Sequence, residues 1–387
     1  MWWQASPGST STKSSRASGP SCWRKRFCCF CSCCSRNSSR GRRPGSAEHP
    51  ASASNPFHPF MPGITMRTVH RLALCSLLGF CSLTVSAQTI LRLSHAGSLS
   101  SSQHLAALRM AEVVKEKTQG ALRIDVYPES QLGNDAKAIA DTQKGALDMV
   151  MAGSPNFVPL APRLVEIDLP YSFDTPQRAY GELDSKFYGQ SLLNEPLAKG
   201  IKGLAFWEVG FRIITSNKGF VKTPDDLKGL RLRVVGNPEQ HEFFKALGAQ
   251  TVAMPLGEVY EAIRAGKLDA QDHPLPITYS SRLYEVQKYV TMTRHAYTAL
   301  MVAINAGRFE SLTAVQQKAL MEAAVAGRNF QRELNAKNEK TILADLRRQG
   351  VNVLESVDSR PFRLLATKQS ANYFSRRLGL PELAQNK

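Results

Sequence analysis

The residues in this chain best suited to chemistry are arginines set beside glycine. Gly210-Phe211-Arg212 lies within an apolar stretch, and Gly229-Leu230-Arg231-Leu232-Arg233-Val234 repeats the theme. Side chains alternate along a strand, so Arg231 and Arg233 share one face while Leu232 and Val234 share the other. A guanidinium in an apolar segment needs an anionic partner, and its planar fork can grip a carboxylate through two parallel bonds. The partner is either a bound organic acid or an internal acid such as Asp225 or Asp226. In the second case the arginines merely close a half-exposed sheet edge, and spacing alone leaves both readings open.

Other chemical signatures are sparse. All 8 cysteines precede residue 88, so the remaining chain can use no Cys nucleophile, Cys-type zinc site or disulfide framework. His241-Glu242 begins like a zinc-protease helix, but Lys245 stands where the second His belongs. No Gly-rich phosphate loop, dinucleotide fingerprint or nucleophile elbow is present. His95, His104, His273 and His295 occur singly, and a lone histidine more often satisfies a buried hydrogen bond than binds a ligand. The pattern disfavours an enzyme, and it implies neither cofactor nor metal.

Charge is unevenly divided. The formal net charge is +17, yet residues 1–87 hold 11 Lys or Arg against one acid, Glu48, a surplus of +10. Basic residues after position 87 are dispersed rather than striped, which argues against a nucleic-acid face. From Met66 to Ala87 the order is Arg67 and Arg71, an apolar run from Leu72 to Val85, then small residues. That is the order of a secretory signal peptide, too short to span a bilayer. The expected product starts near Gln88, is exported to the periplasm and does not cross the membrane. Residues 1–65 are Ser-, Arg- and Pro-rich without periodicity and are expected to be disordered, an extension explained by a start assigned upstream of Met61 or Met66.

The elements that must position the arginines alternate in type. Strands are expected at Thr89–Ser94, Leu122–Tyr127, Leu147–Ala152, Ile201–Trp207, Phe211–Ser216, Leu230–Val235 and Thr251–Met254. Helices are expected through Ala107, Met110, Ala111 and Val114, and at Asp135–Lys144, Pro238–Leu247 and Gly257–Ala265. A long helix from about Leu312 to Gln349 opens on a capping-box pattern, Thr313 with Gln316, and stops at Gly350. Such a helix is longer than one small domain is wide. The order predicts an α/β protein of two lobes, each with a parallel sheet, hinged around a ligand cleft and bridged by the long helix.

Several motifs in sequence resemble one family. They are Ser130-Gln131-Leu132-Gly133, Gly145-Ala146-Leu147-Asp148, Asp168-Leu169-Pro170-Tyr171, Gly210-Phe211-Arg212 with Ser216-Asn217, and the run from Pro224 to Val234. Leu247-Gly248-Ala249, Glu258-Val259-Tyr260, Leu268-Asp269 and Tyr284-Glu285-Val286-Gln287-Lys288 follow. From about Leu91 to about Glu355 the chain is similar to the periplasmic solute-binding subunits of TRAP transporters, the dicarboxylate-binding-protein family. The resemblance implies a periplasmic-binding-protein fold, with one lobe of residues 88–209 and about 299–335 and the other of 210–298 and about 336–387.

It also implies roles. Arg233 would be the main clamp on a ligand carboxylate and Arg212 its assistant. Asp272-His273-Pro274 departs from the family's acid-Asn-Pro, which leaves His273 to supply the hydrogen bond. Gly153 and Asn156 stand where the sialic-acid branch carries Glu and Arg, which disfavours sialic acid. Trp207-Glu208 resembles members that bind smaller organic or sugar acids, so Trp207 is expected either to wall the pocket or to pack the core. His95 completes the candidate ligand contacts. The implied ligand is a four-carbon dicarboxylate or a sugar acid, and the implied partners are a small and a large integral-membrane subunit. A periplasmic sensor serving a membrane receptor, or an enzyme acting on carboxylates, are the alternatives.

Overall fold

The computed structural model describes residues 88–381. The expected signal peptide, the upstream extension and all eight cysteines lie outside the described residues. Two sheets share one strand. The first has the order β2 (Leu122–Tyr127), β1 (Thr89–His95), β3 (Met149–Gly153), β9 (Tyr297–Asn305) and the first part of β4 (Ile201–Ser216). The second continues from the far part of β4 through β7 (Ala270–Pro274), β5 (Arg231–Val234) and β6 (Gln250–Ala253). On its other side β4 pairs with β8 (Tyr289–Thr291), which pairs with β10 (Asn352–Leu354).

Both sheets are mixed rather than parallel throughout. β1 runs parallel to β2 and β3, and β5 runs parallel to β6 and β7, as alternating strand and helix demand. β9, however, lies antiparallel between β3 and β4. All of β9 but its last residue is buried, and so is nearly all of β4. Strands covered on both faces read as unbroken apolar runs, which hides them from a search for alternation.

β4 also corrects an expectation. Ile201–Trp207 and Phe211–Ser216 are not two strands but one of 16 residues. Its register slips between Glu208 and Gly210, and Gly210 adopts φ of +109°, a conformation open to glycine and costly for a side chain. There the strand leaves β9 and takes up β7 as its neighbour.

Helices cover both sheets. Ala107, Met110 and Val114 of the helix Ser102–Lys117 pack under β1 and β3 with Leu320, Ala323 and Ala324 of the long helix Ala314–Arg348. Further along, Ile342, Leu343 and Leu346 of that helix join Leu275 and Val290 in the core of the second sheet. At about 1.5 Å per residue its 35 residues extend roughly 50 Å, enough to bridge both halves. Thr313 and Gln316 form the capping box that the sequence predicts. The second sheet's other face is closed by Phe243 and Phe244, which meet Phe362 and Ala366 of the helix Arg360–Leu378. No helix among the described residues is long and apolar enough to cross a membrane.

Candidate functional site

A cavity of about 380 Å³ lies between the two sheets, walled from both sides. The first half contributes Gln103, Ser130, Asp135, Gly153 and Asn156, and the second contributes Arg233, Met254, Glu258 and His273. Arg212 and Thr298 form its floor beside the point where β4 changes sheets. The size is near the lower end of small-molecule pockets, which suits a compact metabolite.

Strand alternation directs the arginines as expected, and Arg231 and Arg233 meet different fates. At the end of β5, Arg231 is half-exposed and tied to Asp269 by a two-pronged ion pair of 2.9 and 2.8 Å. Arg233 is only 3% exposed and borders the cavity. Its Nε and one terminal nitrogen donate to the Met254 carbonyl at 3.0 and 2.6 Å. The other terminal nitrogen lies 2.8 Å from His273 Nε2. A guanidinium carries five N–H groups, so these three contacts leave two for a guest, one on each terminal nitrogen. Asp225 and Asp226, offered as internal partners, do neither job. Asp225 pairs with Lys228 and Asp226 caps the turn at Thr223.

His273 is oriented as an acceptor. Its Nδ1 is bonded to Gln271 Oε1, and a nearby Arg233 makes a protonated ring unfavourable. Burial first, then the charges of Arg233 and Arg212, push its pKa well below the ordinary value. His273 therefore shares Arg233 with the guest, and its ring borders the same cavity.

Arg212 joins the two halves. Its Nε donates to Asp272 Oδ2 at 2.6 Å, and Nη1 donates to Thr298 Oγ1 at 3.2 Å. Thr298 donates in turn to Asp168 Oδ1, and Ser154 Oγ reaches Asp168 Oδ2 at 2.7 Å. Asp272 is fully buried, with Arg233 Nη1 and His295 Nε2 each 3.7 Å from its oxygens. The two guanidiniums outweigh its burial and hold its carboxyl below the usual range. Asp168, buried with weaker compensation, is pushed up to about 7. One buried carboxylate, Asp272, thus lies between two guanidiniums and cannot neutralise both.

Asn156 borders the cavity and donates from Nδ2 to Asp135 Oδ2 at 3.0 Å. Trp207, Glu208 and His95 do not reach it. Trp207 is fully buried in the core beneath the long helix, its Nε1 donating to the Ala324 carbonyl at 2.8 Å. It packs the core rather than walling the pocket. The next residue on the strand, Glu208, points the opposite way, into a second recess of about 300 Å³ behind β4. There it accepts from Asn335 Nδ2 at 3.1 Å. His95 accepts from the Gly97 N–H at 3.1 Å, and its Nε2 lies 3.2 Å from His104 Nδ1. Burial, with His104 beside it, pushes His95 down to about 3, the mark of a neutral structural ring.

The position of Trp207 carries a prediction. Its indole lies against Gly327 of the long helix, so a Cβ there would enter the ring and stand 3.2 Å from the Ala106 carbonyl oxygen. Gly→Ala in an exposed helix gains up to about 1 kcal/mol, but overpacking a core costs on the order of 1–3 kcal/mol. Gly327→Ala is expected to destabilise, read as a lower urea midpoint. A raised midpoint would mean the helix and indole separate freely.

Sequence reasoning missed Asp135, Thr298, Gln103 and Met254. Asp135 follows the N-cap Asn134, whose Oδ1 accepts from Lys137 N–H at 3.0 Å, and it reads as an ordinary helix start. Thr298 sits on the overlooked β9, and Met254 contributes only its carbonyl, which no sequence pattern marks. No group of three or more His, Cys, Asp or Glu side chains suited to a metal occurs among the described residues.

Residues 93–377 match the family described as bacterial extracellular solute-binding protein, family 7. The chain is 36% identical over 293 residues to the 2,3-diketo-L-gulonate-binding periplasmic protein YiaO of Escherichia coli, a match covering 76% of this chain and 89% of that one. Its fold is similar to a TRAP periplasmic solute-binding protein from Polaromonas sp. JS666 bound to D-erythronate, with a TM-score of 0.73, 27% identity, and 76% and 96% of the two chains covered. It is also similar to the sugar acid binding protein DctPAm from Advenella mimigardefordensis in complex with galactonate, with a TM-score of 0.71, 28% identity, and 76% and 93% covered. The chain thus belongs to the DctP-like periplasmic solute-binding proteins of TRAP transporters, family 7 of the bacterial extracellular solute-binding proteins, whose members are binding proteins rather than enzymes.

Proposed function

We propose that this protein captures a small organic acid, a sugar acid or a four-carbon dicarboxylate, in the periplasm and delivers it to the small and large membrane subunits of a TRAP transporter. Arg233 takes the ligand carboxylate on its two uncommitted N–H groups, and Arg212 adds its charge from the floor. The observation that carries this reading is a pair of buried guanidiniums with one buried carboxylate between them, bordering a cavity. The sugar acids named for the relatives above support it.

Capture works by closure. The ligand touches groups from both halves, so it favours the state in which those groups converge, and the free energy gained is its differential affinity for that state. Exclusion of water then strengthens the charge-assisted bonds. The test is a thermal-shift screen of aldonic, uronic, 2-oxo and dicarboxylic acids, followed by calorimetry. A ligand at a thousand times its Kd stabilises by roughly 4 kcal/mol, a clear rise in Tm. The reading fails if no organic acid raises Tm at millimolar concentration.

A further inference from the structure

The first half lines the cavity with a carboxylate, Asp135, and the second half with a guanidinium, Arg233. Asp135, the first residue of the helix Asp135–Lys144, borders the cavity with Asn156 and Glu258. Its Oδ2 is held by Asn156 at 3.0 Å, which fixes the carboxyl's orientation. Asp135 makes no ion pair within 4.0 Å among the described residues, and its Oδ1 accepts no hydrogen bond from them. It is nonetheless close enough to feel the charge of Arg233, which opposes the effect of burial on its carboxyl. Asp135 and Arg233 thus line one cavity, contributed by different halves, with no ion pair between them.

A charge count over the lining restricts what can fill that space. Among the described residues its cationic side chains are Arg212 and Arg233. Asp272, beneath them, neutralises one. The arginine pair thus keeps one positive charge beyond Asp272, enough for one ligand carboxylate. A second carboxylate that reached Asp135 would find no further cation in the described lining and would meet the Asp135 carboxylate instead. Like charges brought together in a desolvated site are strongly disfavoured. A hydroxyl in the same place would donate to the free Asp135 oxygen, a charge-assisted bond about twice as strong as a neutral one.

We propose that Asp135, oriented by Asn156, sets the ligand class: it accepts a hydroxyl of a polyhydroxylated monocarboxylate and rejects a dicarboxylate of the same length. This rests on the reading that Arg233 and Arg212 bind an organic carboxylate, and it selects one of the two ligand classes which that reading leaves open. Asp135 is here a specificity residue, distinct from the arginines that supply the affinity.

The experiment uses ligand pairs that differ at one end only. Aldonates of four to six carbons are compared by calorimetry with the aldarates of the same stereochemistry, in which the terminal CH₂OH has become a carboxylate, and with succinate. The purified protein is expected to bind at least one aldonate more than about tenfold tighter than its aldarate and than succinate, and Asp135→Asn is expected to shrink that ratio by about tenfold or more, mainly by improving aldarate binding. Asp135→Ser, which keeps a good residue at the helix start, provides the same comparison if the Asn variant folds poorly. Equal binding of aldonate and aldarate by the unaltered protein overturns the assignment and leaves the carboxylate clamp standing. An unchanged ratio in a folded Asp135 variant overturns it too. Binding of neither series overturns this inference, and the carboxylate reading falls with it when uronic and 2-oxo acids also leave Tm unchanged.

Discussion

Arg233→Ala is expected to weaken binding of the organic acid by roughly 10²–10³-fold, the range for truncating one side of a buried, hydrogen-bonded charge pair. Arg233→Lys should fare little better, losing at least about tenfold although the charge is kept. Geometry is the reason. The Met254 carbonyl takes two N–H groups of the guanidinium, His273 takes a third, and the remaining two address the guest. An ammonium has three donors on one atom. It cannot hold a carbonyl, an imidazole and both oxygens of a carboxylate at their present separations. Calorimetry on both variants, with Tm measured in the absence of ligand, separates lost binding from lost folding. Wild-type affinity in the Lys variant would remove Arg233 as the clamp.

Asp272→Asn should lower stability by about 3–5 kcal/mol, the cost of removing one member of a buried ion cluster. Asp272 is fully buried, bonded to Arg212 and 3.7 Å from Arg233, so neutralising it leaves two guanidiniums buried without the anion between them. An anionic ligand would then supply part of the missing charge. The ligand-induced rise in Tm should therefore be larger in the variant than in the unaltered protein, even though the variant starts lower. The pH dependence has a definite sign. A carboxyl held below its unfolded value contributes stability that is complete above an unfolded pKa near 4. That contribution drains away as pH falls towards the folded value, which lies lower still. Acid unfolding should thus be less steep below about pH 4 in the variant, since it lacks the group that must be protonated. Equal slopes, or an equal ligand-induced shift in Tm, would show that Asp272 does not balance the arginines.

Legibility in the sequence followed physical pattern. Elements with an exposed face announced themselves: the helix Asp135–Lys144 and the strand Leu122–Tyr127 have the predicted ends, and the Thr313 capping box is present. Elements buried on both faces did not. β9 and the unbroken course of β4 have no polar side to give them a period. The arginines were readable because a guanidinium in an apolar run requires an explanation. The acids that balance them were harder to identify: Asp225 and Asp226 lie nearer in sequence, whereas Asp269 and Asp272 come from β7 and its approach, adjacent only through strand pairing. Trp207 shows the limit of composition. A large aromatic beside the motif fits a pocket wall and a core equally, and only the direction of one strand decides between them.

Residues 88–381 lie within one compact unit even though they build two sheets, because β4 lies inside both. Neither half owns a complete set of strands, and the chain passes between them again from β8 to β9 and along the long helix. No single cut in the gene yields a half that could be lifted out and spliced onto another member of the family. Diversification of such a protein is thus confined to replacing side chains around a fixed frame, and its history should read as successive single substitutions on the cavity wall rather than as shuffled cassettes.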